Sequence, residues 1–483
     1  MDRLTATDFY RFLQCPHWPY WERFGDKKDR RPLTADEEKR MNDGLVHERE
    51  IVADQFGEAE AVERTNDKDE VKRTLELMRQ GAAIIYQGSL QDGDWFGRPD
   101  LLERQPGKSN FGDWYYVPLD VKRSHVLKKE HKAQLMFYAV LLERIQGVFP
   151  SHPAILNADG DRIGFDASLF ETDFRELLQE LERIREGMRP DPVYRKTCED
   201  TSPWGAACRR LAEETRDIAL LFNVDVRKLR GLRSLGVTTV DQAAEMDVDA
   251  LEGQMPGLTR RALEAAKRQA QSLIQDLVII RDSFVDATEG LEIHFDIESH
   301  PPTDVDYLYG IWITSGPQKG EYISFVAERP EDEHLMWASF LTWLETLPET
   351  YTVWHYASYE ASRLDILARR YQTENNPHLI KFKNSLRDLK EIVTDTAVFP
   401  LYFYSLKKIG NFLGFAWEGE VKGGGESVTA YETWLSGKKR ATLDSIIQYN
   451  REDVRATAFV LDWLRRYARK EQSFAPPYPW KNV

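Results

Sequence analysis

Two acidic sets of residues stand about two hundred positions apart in this chain of 483 residues, and between them they fix two strands and so two α/β units. The first is Gly97-Arg98-Pro99-Asp100 followed by Leu119-Asp120-Val121-Lys122. The second is His294-Phe295-Asp296-Ile297-Glu298, joined much later by Tyr449-Asn450-Arg451-Glu452-Asp453. In an extended strand, residues two apart project to one side. Asp120 and Lys122 can therefore share a face while Val121 turns to the core, and Asp296 can share one with Glu298. Tyr449 and Asp453 lie four apart in a stretch, Ser445 to Arg465, whose apolar spacing is helical, so they share a face too. Carboxylates gathered in this way suit divalent metal, and metal on carboxylates is what phosphodiester hydrolysis requires.

The length gives room for about three domains, each with a real core. A chain that is 42% hydrophobic, 30% charged and 12% aromatic is of the folded, globular kind. Its net charge of -15 argues against a generally adhesive nucleic-acid binder, because phosphate affinity comes from local Lys and Arg. It does not exclude a nuclease, whose metal-binding acids add to that sum until their ions arrive. The best basic cluster, Lys122 to Lys132, follows the first acidic set directly. Lys128, Lys129 and Lys132 in it are candidates for phosphate contact, with a solvated face as the alternative. Three cysteines are too few and too scattered for a disulfide framework, and the opening residues lack the pattern of a secretory signal. No apolar run reaches membrane-spanning length. A cytoplasmic protein with no membrane partner is the expectation.

Pattern changes along the chain suggest four segments. Residues 1–190 read as one α/β domain. It has an aromatic-rich helical start, strands near Ala83–Gly88, Phe96–Arg104 and Trp114–Val121, and a helical stripe from Ala133 closed by Gly147. Residues 191–285 read as a helical bridge that carries two cysteines. Its Gly231, Gly236 and Gly257 resemble helix-hairpin-helix turns, where glycine lets backbone amides approach a phosphate; packing of short helices explains them equally. Residues 286–470 read as a second α/β domain, with a strand over Leu291–Ile297, meander partners at Leu308–Ile313 and Tyr322–Val326, another strand at Thr352–His355, and helices beyond. Residues 471–483 read as a loop or arm. Gly423-Gly424-Gly425 has no following Lys-Ser or Lys-Thr and so is no P-loop; a flexible loop is expected there.

The ordered series Phe12-Leu13-Gln14-Cys15-Pro16-His17, Gly44-Leu45-Val46-His47, Gly97-Arg98-Pro99-Asp100, Asp120-Val121-Lys122 and Gln134-Leu135 with Tyr138 resembles the RecB-like branch of the PD-(D/E)XK nuclease superfamily, over roughly the first 190 residues. The resemblance implies a restriction-endonuclease-like fold in which His47, Asp100 and Asp120 hold metal. It implies that Lys122 orients water or steadies the transition state, and that Gln134 and Tyr138 help hold the site and its nucleic acid. Relatives in this branch often pin the N-terminal helix to a later segment through four cysteines on an iron-sulfur cluster. Cys15, Cys198 and Cys208 match three of those places and Ser202 stands at the fourth. Serine is a poor substitute for thiolate. Three reduced, partly buried cysteines, or a degraded metal site completed by His17 or Ser202, are the alternatives.

The Asp296-x-Glu298 pair with the later Tyr449-x-x-x-Asp453 resembles the DEDDy subgroup of RNase H-like 3′-5′ exonucleases. The fourth acid comes from Tyr356-Ala357-Ser358-Tyr359-Glu360, where Glu360 is the better choice and Asp365 the weaker. The resemblance implies a two-metal site for Mg²⁺ or Mn²⁺ on Asp296, Glu298, Glu360 and Asp453, with Tyr449 orienting water. The whole chain resembles RecB-like nucleases with a C-terminal RNase H-like domain. The expectation is a nuclease acting on nucleic acid, with single-stranded or frayed DNA favoured, in repair or defence. Two alternatives stay open: one live site with the other gripping substrate, or a non-catalytic nucleic-acid adaptor. Protein partners are not legible.

Overall fold

The computed structural model describes residues 3–481. The chain divides into two compact units between Thr215 and Arg216. That boundary falls inside the segment read as a bridge. The cysteine-bearing helices Lys196–Asp200 and Gly205–Glu214 belong to the first unit, and the glycine-turn helices belong to the second.

The first unit is built on a six-stranded mixed sheet. In spatial order it runs Glu60–Ala61, Ile84–Tyr86, Leu101–Ser109, Gly112–Val121, Ala154–Leu156 and Arg162–Gly164. Alternation along the Gly112–Val121 strand decides its two faces. Leu119 and Val121 join Val52, Leu101, Ala154 and Leu156 in a small core under the Ala35–Gln55 helix. Tyr116 points the other way, into the main core with Met136, Phe137, Val140 and Leu141 of the Lys129–Gln146 helix and with Phe9, Leu77 and Phe174. Asp120 has the same parity as Tyr116, so it faces the Lys129–Gln146 helix. That helix stops at Gly147, which takes φ +78, the left-handed conformation glycine adopts without penalty.

The second unit opens with two helical hairpins. Val226–Ser234 turns at Gly236 (φ +82) into Val240–Glu245, and Val248–Leu251 leads past Gly257 (φ +86) into Arg260–Gln275. A five-stranded sheet follows. Its spatial order is Tyr322–Val326, Val305–Ile313, Leu291–His300, Tyr351–His355 and Leu386–Asp388; the first three are antiparallel and the last two parallel to Leu291–His300. Ile293, Phe295 and Ile297 face a core shared with Trp337, Phe340, Leu364 and Phe382. The opposite face is covered by the helices Gly424–Gly437 and Arg440–Tyr467, through Tyr431, Trp434, Leu443 and Ile446. Among the described residues no helix is long and apolar enough to cross a membrane.

Two segments differ from expectation. The triple glycine is not a loop, because Gly423 caps and Gly424 opens the Gly424–Gly437 helix. The apolar Tyr431 and Trp434 one turn apart drive that helix against the sheet and outweigh the low helical propensity of its start. The C-terminal stretch is not a free arm either. Gln472–Phe474 pairs with Val278–Ile280, which also pairs with Ala397–Val398, and Tyr478 and Trp480 are buried in the core around Trp463 and Phe399. Two large aromatics bury enough area to hold a proline-rich segment in place.

Candidate functional site

In the second unit the strand parity that sends Phe295 and Ile297 into the core turns Asp296 and Glu298 toward the Arg440–Tyr467 helix, which delivers Tyr449 and Asp453 one turn apart. The carboxylates of Asp296, Glu298 and Asp453 each offer an oxygen within 4.8 Å of the others. Burial, then repulsion from Glu298 and Asp453, pushes the Asp296 carboxyl well above its ordinary value. Burial, then repulsion from Asp453, raises Glu298 to about 8, and burial raises Asp453 to about 6. Three acids pressed together with too little positive charge around them are a donor set for a cation.

Neighbouring side chains hold this set in place. Trp417 Nε1 donates to Asp453 Oδ1 at 2.6 Å, and Asn450 Nδ2 donates to Asp296 Oδ2 at 2.7 Å. Tyr322 in turn donates to Asn450 Oδ1 at 2.8 Å. Asn450 reaches Asp296 across the neighbouring strand at Gly310, which pairs with Asp296 in register. A Cβ on Gly310 would sit 1.5 Å from Asn450 Oδ1, so only glycine leaves that path open. Gly310→Ala is therefore expected to displace Asn450 and destabilise the domain by about 1–3 kcal/mol. Urea unfolding of Gly310→Ala beside Asn450→Ala checks this: the two effects should overlap rather than add.

Glu360 lies in the first turn of the Tyr359–Arg370 helix, at the end of the Tyr351–His355 strand. It is buried, lies close enough to Asp296 to help raise it, and has His355 Nδ1 at 3.2 Å from its Oε2. The connecting loop passes through Ala357 at φ +77, a conformation costly for alanine, and the Ala357 amide donates to Asp388 Oδ1 at 2.9 Å. Asp388 also accepts from the Lys390 and Glu391 amides. It thus fixes the loop and caps a helix. Asp365, the weaker choice for the fourth acid, pairs with Lys383 away from the cluster.

Lys407 was not singled out in the sequence. Its ammonium lies 4.5 Å from the centre of the Tyr449 ring and 5.8 Å from that of Trp417, buried and without a hydrogen-bond partner among the described residues. Burial lowers its pKa, while Asp453, Glu426 and Glu298 counter that shift. Ser405-Leu406-Lys407-Lys408 carried no signal beyond a helix start, so only the tertiary arrangement reveals it.

In the first unit Asp100 and Asp120 meet at the centre of the sheet. The Asp100 amide donates to Asp120 Oδ1 at 3.3 Å, Asp100 Oδ2 accepts from the Val121 amide at 2.7 Å, and Lys122 Nζ is 2.8 Å from Asp120 Oδ2. Burial, then repulsion from Asp120, raises Asp100 well above the ordinary carboxyl range. For Lys122 burial works against the charge, yet Asp120 and Asp100 outweigh it and its pKa rises. His47 is partly buried on the Ala35–Gln55 helix, its Nε2 without a hydrogen-bond partner among the described residues, but its donor atoms are not gathered with both acids as tightly as the second unit's three are. Glu48 is a second residue the sequence did not flag. It is buried, accepts from Gln87 Nε2 at 3.0 Å, and lies close enough to raise Asp100 and Lys122.

Arg98 is structural, binding Asp67 at 2.6 Å and the buried Glu70 at 2.7 Å. Tyr138, 4% exposed, donates to the Arg98 carbonyl at 3.0 Å and accepts from Gln134 Nε2 at 3.1 Å. Gly97 is what admits the Tyr138 ring, since a Cβ there would meet it at 3.0 Å. Tyr138 and Gln134 thus brace the strand before Asp100. Lys128 and Lys129 are exposed, whereas Lys132 lies over the Phe165 and Phe170 rings at 5.5 and 4.9 Å. Cys15, Cys198 and Cys208 are buried free thiols, and the buried Ser202 accepts the Trp204 amide at 3.1 Å.

A mixed sheet with an antiparallel meander, two acids on its central strand and a third on a covering helix is the arrangement of an RNase H-like domain. In agreement, the family model of the RNase H superfamily matches residues 293–465, which span all of these acids. Residues 293–465 are therefore an RNase H-like domain, and nuclease-type phosphodiester hydrolysis is the chemistry the superfamily brings. RNase H-like nucleases generally use divalent metals, and the acid cluster fits such ions. No curated protein matches the chain.

Proposed function

We propose that the chain is a double, metal-dependent nuclease: a DEDDy-type 3′-5′ exonuclease in the second unit and a RecB-like PD-(D/E)XK nuclease in the first, acting on DNA with single-stranded or frayed ends. The observation that carries the reading is the gathering of Asp296, Glu298 and Asp453 within 4.8 Å, with Tyr449 one helical turn from Asp453. Bound on these carboxylates and Glu360, two Mg²⁺ or Mn²⁺ ions would supply charge to steady the attacking and leaving oxygens. Tyr449, whose phenol burial keeps protonated, orients the attacking water by hydrogen bonding. Lys407 faces the same space and offers a cation to a phosphoryl oxygen as charge develops. Asn450, Trp417 and His355 keep the acids in place. In the first unit His47, Asp100 and Asp120 would hold metal, which would supply charge to the phosphoryl oxygens, and Lys122 steadies the transition state. Lys128 and Lys129 contact backbone phosphates.

End-labelled single- and double-stranded DNA and RNA, incubated with Mg²⁺ or Mn²⁺, test the reading. Stepwise trimming from the 3′ end should vanish in Asp296→Ala and Asp453→Ala and slow in Tyr449→Phe with binding largely kept. A second activity should survive those changes and vanish in Asp120→Ala or Lys122→Ala. Loss of both activities through one site alone would leave the other as a substrate grip, and no turnover with any substrate would leave a nucleic-acid adaptor. Binding should tolerate sequence and weaken steeply with salt, because backbone contacts position without specifying. Affinities for several unrelated single strands across a salt series measure this.

A further inference from the structure

The three cysteines converge in the first unit although Cys15 lies far from the other two in sequence. The Ala6–Gln14 helix ends at Cys15, and Pro16 starts the next helix at His17, so both side chains come from one tight joint. Cys198 and Cys208 come from the short helices Lys196–Asp200 and Gly205–Glu214. These helices press together at Gly205, where a Cβ would lie 2.5 Å from the Cys198 carbonyl oxygen. Cys15 Sγ lies 3.5 Å from Cys208 Sγ, and Cys15, His17 and Cys208 each offer a donor atom within 4.8 Å of the others. Cys198, whose Sγ is 3.2 Å from the Val193 carbonyl oxygen, also touches Cys15. All four residues are buried, with exposures of 0–3%.

Three chemistries are open to such a set. A disulfide needs sulfurs about 2.05 Å apart, and these thiols are free. An iron-sulfur cluster takes four cysteines, each on its own iron; here the fourth place holds Ser202, whose oxygen is engaged by the Trp204 amide. Two thiols in contact are also closer than ligands on separate irons stand. A single tetrahedral ion fits instead. With Zn–S bonds of about 2.3 Å, two thiolates on one zinc stand about 3.8 Å apart, and three cysteines with one histidine are a closed structural set. Soft sulfur donors with imidazole select zinc over magnesium or calcium.

We propose that Cys15, His17, Cys198 and Cys208 bind one zinc ion, which staples the N-terminal helices to the Lys196–Glu214 segment. The proposal is independent of whether either nuclease site turns over. Metal analysis of untagged protein, purified without chelator under reducing conditions, should give one zinc per chain and no stoichiometric iron or sulfide. A thiol-blocking mercurial should release that zinc as three thiols react. Exchange with cobalt should give the strong visible bands of tetrahedral thiolate coordination together with sulfur-to-cobalt charge transfer. Cys208→Ser should lose the metal and unfold at a lower temperature, and His17→Gln, a milder change, should weaken zinc retention under chelator challenge. Iron with sulfide, a Cys15–Cys208 disulfide, or a protein without zinc and without a cobalt spectrum would each overturn the proposal.

Discussion

Asp296→Asn is expected to slow 3′-end hydrolysis by about 10²–10³-fold or more, the scale of losing a group that stabilises charge in the transition state. In metal-free protein the same change should raise the unfolding temperature. The substitution is nearly isosteric and keeps an oxygen for the Asn450 amide, yet removes one of three mutually repelling carboxylates. Glu298 shows the sign of the effect. Its pKa rises from an ordinary 4.5 to about 8, so the folded state holds more protons than the unfolded state between those values. Stability of the metal-free domain therefore falls as pH rises through that window. Mg²⁺ binds only the folded site, so it should restore stability and flatten the pH dependence. Calorimetry of both proteins in EDTA and in Mg²⁺ across this window is the measurement. A wild type insensitive to pH in EDTA, or a variant no more stable than wild type there, would show that the acids are compensated by something other than metal.

Strand parity made much of this legible. The alternation of His294 to Glu298 placed two acids on one face, and four-residue spacing placed Tyr449 beside Asp453; the structure has both arrangements. The Leu291 strand, its meander partners and the helix closed by Gly147 follow from the same periodicities. What stayed hidden depends on contacts between distant segments. Nothing local marks Gly310 as the gap through which Asn450 reaches Asp296, because that requires strand register and a helix some 140 residues on. Glu48 reads as an ordinary helical acid until the sheet brings it to Asp100. The glycine run reads locally as a loop and is helical because the aromatic face that follows it, Tyr431 and Trp434, packs against the sheet. The buried seat of Tyr138 likewise depends on Gly97, on a distant strand, which leaves room for its ring.

Lys407→Met should cut the single-turnover rate of 3′-end trimming by about 10²-fold while leaving the fold intact. The ammonium is held over the Tyr449 ring, a face that attracts cations, and the acids below it offset part of the cost of burial. A purely structural lysine would satisfy its donors; this one has a buried Nζ without a hydrogen-bond partner among the described residues, beside Tyr449 and near Asp453. A phosphoryl oxygen entering there would gain a charge-assisted contact that strengthens as negative charge develops. The loss should thus fall on the chemical step more than on binding, which single-turnover rates and separate affinities for a 3′-labelled strand resolve. Lys407→Arg should recover only part of the rate, since a planar guanidinium cannot occupy the same point between Tyr449 and Trp417. Loss of Lys407 also removes a charge that holds Glu298 and Asp453 down, so both should protonate more readily and activity should shift to higher pH. A Lys407→Met protein with wild-type rate and an unshifted pH profile would reduce this lysine to packing against Tyr449.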